Sequence, residues 1–378
     1  MQLYKKWIWQ QADWPNFTYH IKHLLPNITA ISRLIGAIET TYCSLADEIL
    51  LNTQVQVLAD DAIETSAIEG EVLRRSSVRA SIKKGLGLPI EQDDSNIQSD
   101  SLVTMLMDAK NNAEQPLTEE RLFAWQAALF PTGYSGIHKI RVGQYRGDEP
   151  MQIVSGPIQK EKVHYIAPPK NQLDDEMKSF LAWTNGVNET DPILKAGIAH
   201  IWLIMIHPFD DGNGRISRAV TDYLLAKSFP RLMQIISFSK QVSLDKKGYY
   251  AVLEEAGKNG LDITDWLKWF LQMLITAIQE SHWIIERVIQ KTHFWQKHQE
   301  IPLNARQRKV LNRLLDAGDR FEGGMTTRKY ASINKCSKVT ASRDLADLET
   351  KSLLQKRSGG GRSTSYEIKK TFFVQDIK

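Results

Sequence analysis

The stretch from His207 to Arg218, HPFDDGNGRISR, constrains the fold of this chain more than any other part of the sequence. An apolar run, KAGIAHIWLIMI, precedes it, and ISRAVTDYLLAKSF, which is predicted to be helical, extends from its end. The Gly-Asn-Gly sequence predicts a turn at the start of that second helix. The core is therefore expected to contain two consecutive helices joined by a tight, charged loop.

The same twelve residues place a base and two arginines around a helix N-terminus. The N–H groups of a first helical turn lack intrahelical partners and lie at the positive end of the helix dipole, so Gly212–Gly214 can bind an anion. Arg215 and Arg218 lie three residues apart and can reach the same anion. Asp211 stands where a hard cation bound to phosphate would lie. His207 ends the preceding helix, where it can take a proton from a nucleophile.

The order and spacing of these residues resemble the signature of the Fic domain, H-x-F-x-[DE]-G-N-G-R-x-x-R, and every fixed position is matched. The resemblance implies a mainly α-helical Fic-type bundle with a β-hairpin flap. It also implies a nucleotidyltransferase that moves AMP from ATP to a Ser, Thr or Tyr hydroxyl of a protein, itself included. The implied cofactors are ATP and Mg²⁺, and pyrophosphate is the implied second product.

The resemblance assigns a role to each residue of the motif by its position. His207 would be the general base for the hydroxyl, and Asp211 would bind Mg²⁺ that bridges the α- and β-phosphates. Arg215 would contact the β-phosphate, and Arg218 would contact the γ-phosphate. Three residues of the turn would hold the α-phosphate and stabilise its developing charge: Gly212, Asn213 and Gly214.

Two adjacent tyrosines, Tyr249 and Tyr250, match a pair that lines the adenine pocket in similar proteins. An aromatic face at this place can stack on the base. Packing in the core explains at least one of them nearly as well. Gly257 stands where some similar proteins carry an asparagine eight residues after the first tyrosine, so base contacts at that end stay open.

An upstream hexapeptide, Thr65–Gly70 (TSAIEG), matches [ST]-x-x-x-E-[GN], the pattern of an inhibitory helix in Fic proteins. Thr65 and Glu69 are four residues apart and therefore share one face of a helix. By the resemblance, Glu69 pairs with Arg218 and blocks productive binding of the γ-phosphate in the ATP site. The same spacing also occurs on ordinary solvated helices, which is the alternative interpretation.

The clearest β signal is a pair of short predicted strands, Gln152–Ser155 and Lys162–Ile166, separated by GPIQKE. Fic domains have a flap at this place in the chain, which pairs through backbone hydrogen bonds with the segment that carries the target hydroxyl. A two-stranded hairpin offers the free edge that such pairing needs. A plain surface hairpin is the alternative.

The predicted domains are an aromatic N-terminal cap (residues 1–27), a Fic body (28–295) and a small C-terminal domain (301–378). The body includes the inhibitory helix at about 46–70 and the flap at about 151–167. The C-terminal domain has 17 Lys and Arg residues against 8 Asp and Glu, whereas the whole chain has 48 against 44. The basic charge is therefore concentrated in a separate unit.

The C-terminal domain is predicted to contain three helices followed by a hairpin with a glycine-rich tip, the order of a winged helix-turn-helix. Its expected recognition helix is Ser337–Leu354. Lys338, Arg343, Arg357 and Arg362 are placed to meet the phosphates of DNA. Because winged helices also dock on proteins, DNA and protein are both open as partners.

Other functions stay open beside AMP transfer. One group comprises Fic relatives that transfer a phosphoryl group or another nucleotide, or that remove AMP. The other is a DNA-binding regulator whose Fic body is a sensor or a dimerisation unit. No apolar run reaches the ~18 residues of a membrane span, and the two cysteines lie far apart, so we expect a cytoplasmic protein with no membrane partner. A homodimer is an option that the sequence does not decide.

Overall fold

Helices dominate the computed structural model, which confirms the mainly α-helical class expected from the sequence. The described residues are 7–43, 46–90, 92–155, 162–187, 189–258, 260–357 and 364–369. The GPIQKE segment of the predicted flap and Arg362 of the predicted wing lie outside them. Within these residues, no helix has both the length and the apolar character needed to cross a membrane.

The chain forms two compact units. The first unit comprises residues 1–45 and 54–281, and the second comprises residues 46–53 and 282–378. The structure divides the chain at residue 282, inside the helix Thr264–Lys297, whereas the charge balance changes at about residue 301. The sequence does not reveal this boundary, because the helix continues across it without a loop or a change in composition.

Twelve helices contain residues of the first unit among those described, and two of them, α2 and α12, also contribute residues to the second unit. Their bounds are α1 (Ile21–Cys43), α2 (Asp47–Ile68), α3 (Arg75–Gly85), α4 (Ile97–Asn111), α5 (Glu119–Leu129), α6 (Lys170–Asn185), α7 (Pro192–Ile206), α8 (Asn213–Ser228), α9 (Pro230–Met233), α10 (Phe238–Leu244), α11 (Lys246–Ala256) and α12 (Thr264–Lys297).

Helices α7 and α8 form the centre of the first unit. Every residue of α7 from Ile193 to Ile206 except Lys195 is buried, as expected for a helix that is apolar on all sides. Asp191 caps α7 by accepting hydrogen bonds from the N–H groups of the second and third helical residues. Because α8 packs directly against α7, the loop between them is supported by rigid elements at both ends.

A buried cluster of three charged side chains joins α2, α4 and α8. Nζ of Lys110 lies 2.8 Å from Oδ2 of Asp61 and 3.6 Å from Oδ2 of Asp222. Burial raises the pKa of Asp222 well above its ordinary value. Burial acts in the same direction on Asp61, but Lys110 holds the pKa of Asp61 below its ordinary value. Shifting α2 along α8 would separate buried charges, which is costly. The cluster therefore holds α2 in register on α8.

The predicted flap has the two strands expected from the sequence, with the same bounds: β3 (Gln152–Ser155) and β4 (Lys162–Ile166). They pair antiparallel, with an irregular register between Ile153 and Val154. A shorter hairpin precedes them, formed by β1 (Tyr134–Ser135) and β2 (His138–Lys139).

Aromatic residues of the N-terminal segment pack on residues of the helical body. Trp7 is buried and meets the ring of Tyr165 edge-on, with 5.5 Å between the ring centroids. Trp14 and Phe17 make similar edge contacts with Trp202 of α7. These contacts attach the segment to strand β4 and to the central helix α7.

The second unit has its own apolar core, to which the helices α13 (Ala305–Ala317), α14 (Thr327–Asn334) and α15 (Lys338–Thr350) contribute. Three short strands form an antiparallel sheet in the order β5, β7, β6. Their bounds are β5 (Met325–Thr326), β6 (Leu354–Lys356) and β7 (Ser365–Ile368). The winged-helix assignment stays a prediction.

The predicted recognition helix Ser337–Leu354 is too long at its C-terminal end. Ser337 is the N-cap, but the helix ends at Thr350 and Leu354 already begins β6. Ser352 adopts a left-handed conformation (φ 60°), and the N–H of Leu353 binds the carbonyl of Leu348. This left-handed C-cap ends the helix without the glycine that usually marks such a site, which is why the sequence pattern missed it.

Candidate active site

His207, the base predicted from the sequence, has a neutral ring at neutral pH. It lies at the C-terminus of α7 in a left-handed conformation (φ 52°, ψ 60°), with Nδ1 3.2 Å from the carbonyl oxygen of Ile204. A carbonyl only accepts, so Nδ1 carries the proton of the neutral ring and Nε2 keeps its lone pair. Burial lowers the pKa of His207 to about 4. At neutral pH the ring can therefore accept a proton at Nε2.

Arg146 supports the backbone around His207, although the sequence did not identify it as a site residue. Its Nε donates to the carbonyl of His207 at 2.8 Å, and its backbone N–H donates to the carbonyl of Pro208 at 2.9 Å. Its Nη2 donates to the carbonyl of Pro168 at 2.5 Å. Arg146 and His207 are 61 residues apart, so no local sequence pattern indicates this contact.

Gly212 and Asn213 shape the turn that opens α8. Gly212 has φ 90°, and a Cβ there would lie 3.0 Å from the ring of Phe130, so a side chain would be both strained and crowded. The side chain of Asn213 accepts from the N–H of Phe209 and donates to its carbonyl, at 2.9 and 2.8 Å. Because the amide oxygen and one amide N–H are used within the loop, Asn213 keeps its backbone N–H and its second amide N–H for an anion.

The N-terminus of α8 has the free N–H groups of an anion site. The first intrahelical bond runs from the N–H of Ile216 to the carbonyl of Gly212, so the N–H groups of residues 213–215 have no partner within the helix. A Cβ on Gly214 would overlap the carboxylate of Glu69. Glu69 therefore lies beside Gly214, in the space that a side chain at this position would occupy.

Arg218 is completely enclosed and binds the C-terminal part of α2. Its Nη2 donates to Oε1 of Glu69 at 2.8 Å, and its Nε donates to Oγ1 of Thr65 at 2.8 Å. Burial opposes the charge of Arg218, but the nearby Glu69 carboxylate keeps its pKa above the ordinary value. The structure thus brings together Thr65, Glu69 and Arg218, and the inhibitory role of this contact stays a prediction.

A second carboxylate, Glu71, binds the other arginine of the motif and was not identified from the sequence. Nη1 of Arg215 donates to both carboxylate oxygens of Glu71, at 2.8 and 2.9 Å. The guanidinium also lies over the ring of Phe130, 4.9 Å from its centroid. Within the described parts of the chain, Nε of Arg215 and Nη1 of Arg218 are buried donors without an acceptor. Both arginines could therefore donate further hydrogen bonds to an anion.

Gly70 places the two carboxylates next to each other. It has φ 85°, and the N–H of Glu71 binds the carbonyl of Ser66 at 3.0 Å across the end of α2. This glycine C-cap turns the chain sharply. Glu69 and Glu71, on the two sides of this turn, consequently both reach α8. The positive φ of Gly70 explains why a glycine stands between them.

The two adjacent aspartates of the loop have different partners. Asp210 accepts from the backbone N–H of Arg141 at 2.9 Å and from its guanidinium at 3.2 Å. Asp211 accepts from the hydroxyl of Ser135 and from the N–H of Gly212. No group of three His, Cys, Asp or Glu side chains in the described residues could hold a metal ion. A cation on Asp211 would therefore need phosphate and water oxygens as its other ligands.

The two tyrosines of the expected adenine pocket differ in exposure. Tyr249 is 1% exposed and its hydroxyl lies 2.9 Å from Nε2 of His200, so it belongs to the core. Tyr250 is 45% exposed, and its hydroxyl lies near the carbonyl of Ile68 at the end of α2. Of the two, Tyr250 is the one exposed enough to stack on a base.

His200 is a fully buried core histidine. Its Nδ1 lies 2.8 Å from Oγ1 of Thr221, whose own hydroxyl donates to the carbonyl of Ser217. His200 therefore donates to Thr221 through Nδ1 and accepts from Tyr249 through Nε2. Burial lowers the pKa of His200 to about 3, so its ring stays neutral in the folded protein.

We expect the free energy of unfolding to fall as the pH decreases below about 6.5, because His200 binds a proton only in the unfolded chain. Its contribution to this loss should be about 1.4 kcal/mol per pH unit between about pH 6 and pH 4. Denaturant unfolding of the wild type and His200→Gln across this range would measure it. The variant should show a shallower pH dependence, and parallel curves would show that another group titrates.

Comparison with known families places these residues in a recognised domain. The model of the Fic/DOC family matches residues 116–225, which include α7, the motif and most of α8. A domain of unknown function, DUF4172, matches residues 7–88, which include the aromatic segment and α2. The motif with the base and the two arginines therefore lies inside the Fic match, and the two carboxylates lie inside the other.

The chain is 25% identical over 198 residues to Protein adenylyltransferase Fic from Nematostella vectensis, across 51% of this chain and 42% of that protein. It thus spans less than half the length of this relative. A Fic family protein from Desulfovibrio desulfuricans has a similar fold, with a TM-score of 0.54 and 19% identity over 92% of this chain and 95% of that chain. A Fic domain containing signaling protein from Bacteroides thetaiotaomicron gives a TM-score of 0.51 and 20% identity, over 70% of this chain and 96% of that chain.

The sequence motif, the helices that carry it and these similarities all lead to one assignment. The motif matches the Fic pattern at every fixed position, and it lies between two packed helices within the Fic/DOC match. The fold of the described residues resembles that of solved Fic proteins. This chain therefore contains a Fic domain of the Fic/DOC family.

Proposed function

We propose that this protein transfers AMP from ATP to the hydroxyl of a Ser, Thr or Tyr residue of a protein, itself included. The observation that supports this best is the position of a neutral His207 at the end of α7, next to the open N-terminus of α8. That N-terminus is accompanied by two buried guanidinium groups, on Arg215 and Arg218. The name of the Nematostella vectensis relative, a protein adenylyltransferase, supports the same reaction.

In this reaction, Nε2 of His207 takes the proton of the target hydroxyl, whose oxygen forms a bond to the α-phosphorus. The bond between the α-phosphorus and the bridging oxygen breaks, and pyrophosphate leaves. The N–H groups of residues 213–215 stabilise the charge on the α-phosphate oxygens. Arg215 and Arg218 bind the phosphates that leave as pyrophosphate. No covalent intermediate on the protein is needed, because the site acts by positioning and electrostatics.

Asp211 is the residue that would hold Mg²⁺, with phosphate and water oxygens as the other ligands. The bound ion would neutralise part of the phosphate charge. The residues present fit such a ligand set, because a single hard carboxylate lies beside a helix N-terminus and two buried arginines with unused donors. Ser135 orients the carboxylate of Asp211 through its hydroxyl.

The remaining parts of the site fit the same proposal. The exposed ring of Tyr250 would stack on the adenine. The β3–β4 hairpin would pair with the target segment by backbone hydrogen bonds. Glu69 would keep the enzyme inhibited, because it occupies the guanidinium that binds the γ-phosphate in the active state.

Labelled ATP tests which group is transferred. In the Glu69→Gly protein, ATP labelled at the α-phosphate should label protein, while the label of γ-labelled ATP should leave with pyrophosphate. Gel electrophoresis and autoradiography after incubation with each ATP would measure both. Incorporation of the γ-label would instead show phosphoryl transfer. No incorporation of either label by the folded protein, alone or with a cell lysate, would contradict transfer from ATP.

A further inference from the structure

We propose that Glu71 is a second inhibitory carboxylate, which occupies Arg215 and blocks the β-phosphate while Glu69 blocks the γ-phosphate. This inference rests on the proposed function, from which the phosphate positions are taken. The ion pair itself is direct: Nη1 of Arg215 lies 2.8 and 2.9 Å from the two oxygens of Glu71. Both arginines of the motif are thus bound to carboxylates that stand in for phosphate oxygens.

The surroundings of Arg215 make Glu71 a competitor of a ligand. The side chain of Arg215 is fixed in place, because only 3% of it is exposed and its guanidinium lies over the ring of Phe130. The side chain of Glu71 is 33% exposed, so its carboxylate can rotate into solvent while the arginine stays in place. A phosphate that enters the site would then accept the hydrogen bonds that Arg215 had donated to Glu71. Carboxylate and phosphate can both form charge-assisted hydrogen bonds with a guanidinium, so the two anions compete.

Glu69 and Glu71 are positioned together rather than independently. The C-cap at Gly70 sets them on either side of one turn, and Arg215 and Arg218 lie on successive turns of α8. The buried Lys110 cluster holds α2 in register on α8. The end of α2 therefore presents two carboxylates to two arginines. When Glu69 alone is replaced, Arg215 is still paired with Glu71, which ATP then has to displace.

This arrangement predicts how binding depends on the number of phosphates. AMP needs only the N-terminus of α8 and has to displace neither pair. ADP has to displace Glu71 from Arg215, and ATP has to displace both Glu71 and Glu69. Removal of each carboxylate should therefore affect a different subset of the three nucleotides.

Isothermal titration calorimetry of AMP, ADP and ATP with Mg²⁺ tests this on the full chain. Glu71→Gln should tighten binding of ADP and ATP about tenfold and leave AMP within about twofold. Glu69→Gln should tighten ATP about tenfold and leave ADP and AMP within about twofold. Glu64→Gln is the matched control and should change no affinity, because that carboxylate on α2 accepts from Ser243 rather than from an arginine.

Several outcomes would overturn the inference. If Glu71→Gln leaves ADP affinity unchanged, or weakens it, Glu71 does not compete with the β-phosphate. A thermal unfolding curve for each variant separates such a result from misfolding. Glu71→Asp, which keeps the charge but shortens the reach, should bind ADP with an affinity between those of the wild type and Glu71→Gln. This test is independent of the proposed function. The predicted affinities for AMP, ADP and ATP could be observed even if no variant transferred AMP.

Discussion

Replacing His207 by alanine should abolish labelling of protein from α-labelled ATP, with a loss of about 100-fold to 10,000-fold, the usual contribution of a general base. The reason is that Nε2 of His207 keeps its lone pair for the proton of the target hydroxyl, since the Ile204 carbonyl binds the proton on Nδ1. The rate of label incorporation by the activated Glu69→Gly protein, with and without the second substitution, measures the effect.

The backbone at this position requires a second variant. His207 has a positive φ of 52°, which alanine adopts at a cost but asparagine tolerates better. His207→Asn should therefore fold like the wild type and still lose the activity. His23→Ala is the matched control, because that histidine lies exposed on α1, and it should keep full activity. Transfer at the original rate by either His207 variant would contradict the assignment of the base.

Replacing Glu69 by glycine should raise auto-AMPylation by about 10-fold to 100-fold. Glu69 binds Arg218 at 2.8 Å, and this guanidinium is buried, so it regains binding capacity for the γ-phosphate when the carboxylate is removed. Loss of a buried ion-pair partner costs ~3–5 kcal/mol in general, and the 28% exposure of the Glu69 side chain lowers that figure here. Time courses of α-label incorporation into the protein measure the change.

The controls for this prediction distinguish the release of Arg218 from a general loosening of helix α2. Glu69 follows the last residue of α2, so glycine does not interrupt the helix. Glu69→Gln keeps the shape of the side chain without its charge and should also raise the activity. Glu64→Gln lies within the same helix and should leave the rate unchanged. An unchanged rate for Glu69→Gly would show that its contact with Arg218 is not inhibitory.

Local sequence patterns were sufficient to predict those parts of the structure in which the contacting residues are close together in the sequence. The Gly-Asn-Gly turn, the buried helix before it and the bounds of β3 and β4 could be predicted because each depends on a few consecutive residues. The position of Glu69 could be expected only through the family resemblance. Its partner, Arg218, is 149 residues away in the sequence.

Contacts over long sequence separations were not predictable. Arg146 supports the backbone of His207 across 61 residues, Ser135 orients Asp211 across 76, and Glu71 binds Arg215 across 144. An arginine, a serine or a glutamate on a polar stretch has no local feature that indicates its partner. Each of these residues acquires its role only when the helices pack and burial makes an unpaired charge or donor costly.

The sequence by itself determined the chemistry that is available: a histidine at a helix end, a glycine turn that exposes N–H groups, and two arginines on successive turns. These features depend on short-range geometry, which residue type and spacing control. The tertiary structure decided whether those groups are available to a ligand. It packs α2 against α8 and places a carboxylate on each arginine, because buried guanidinium groups require partners.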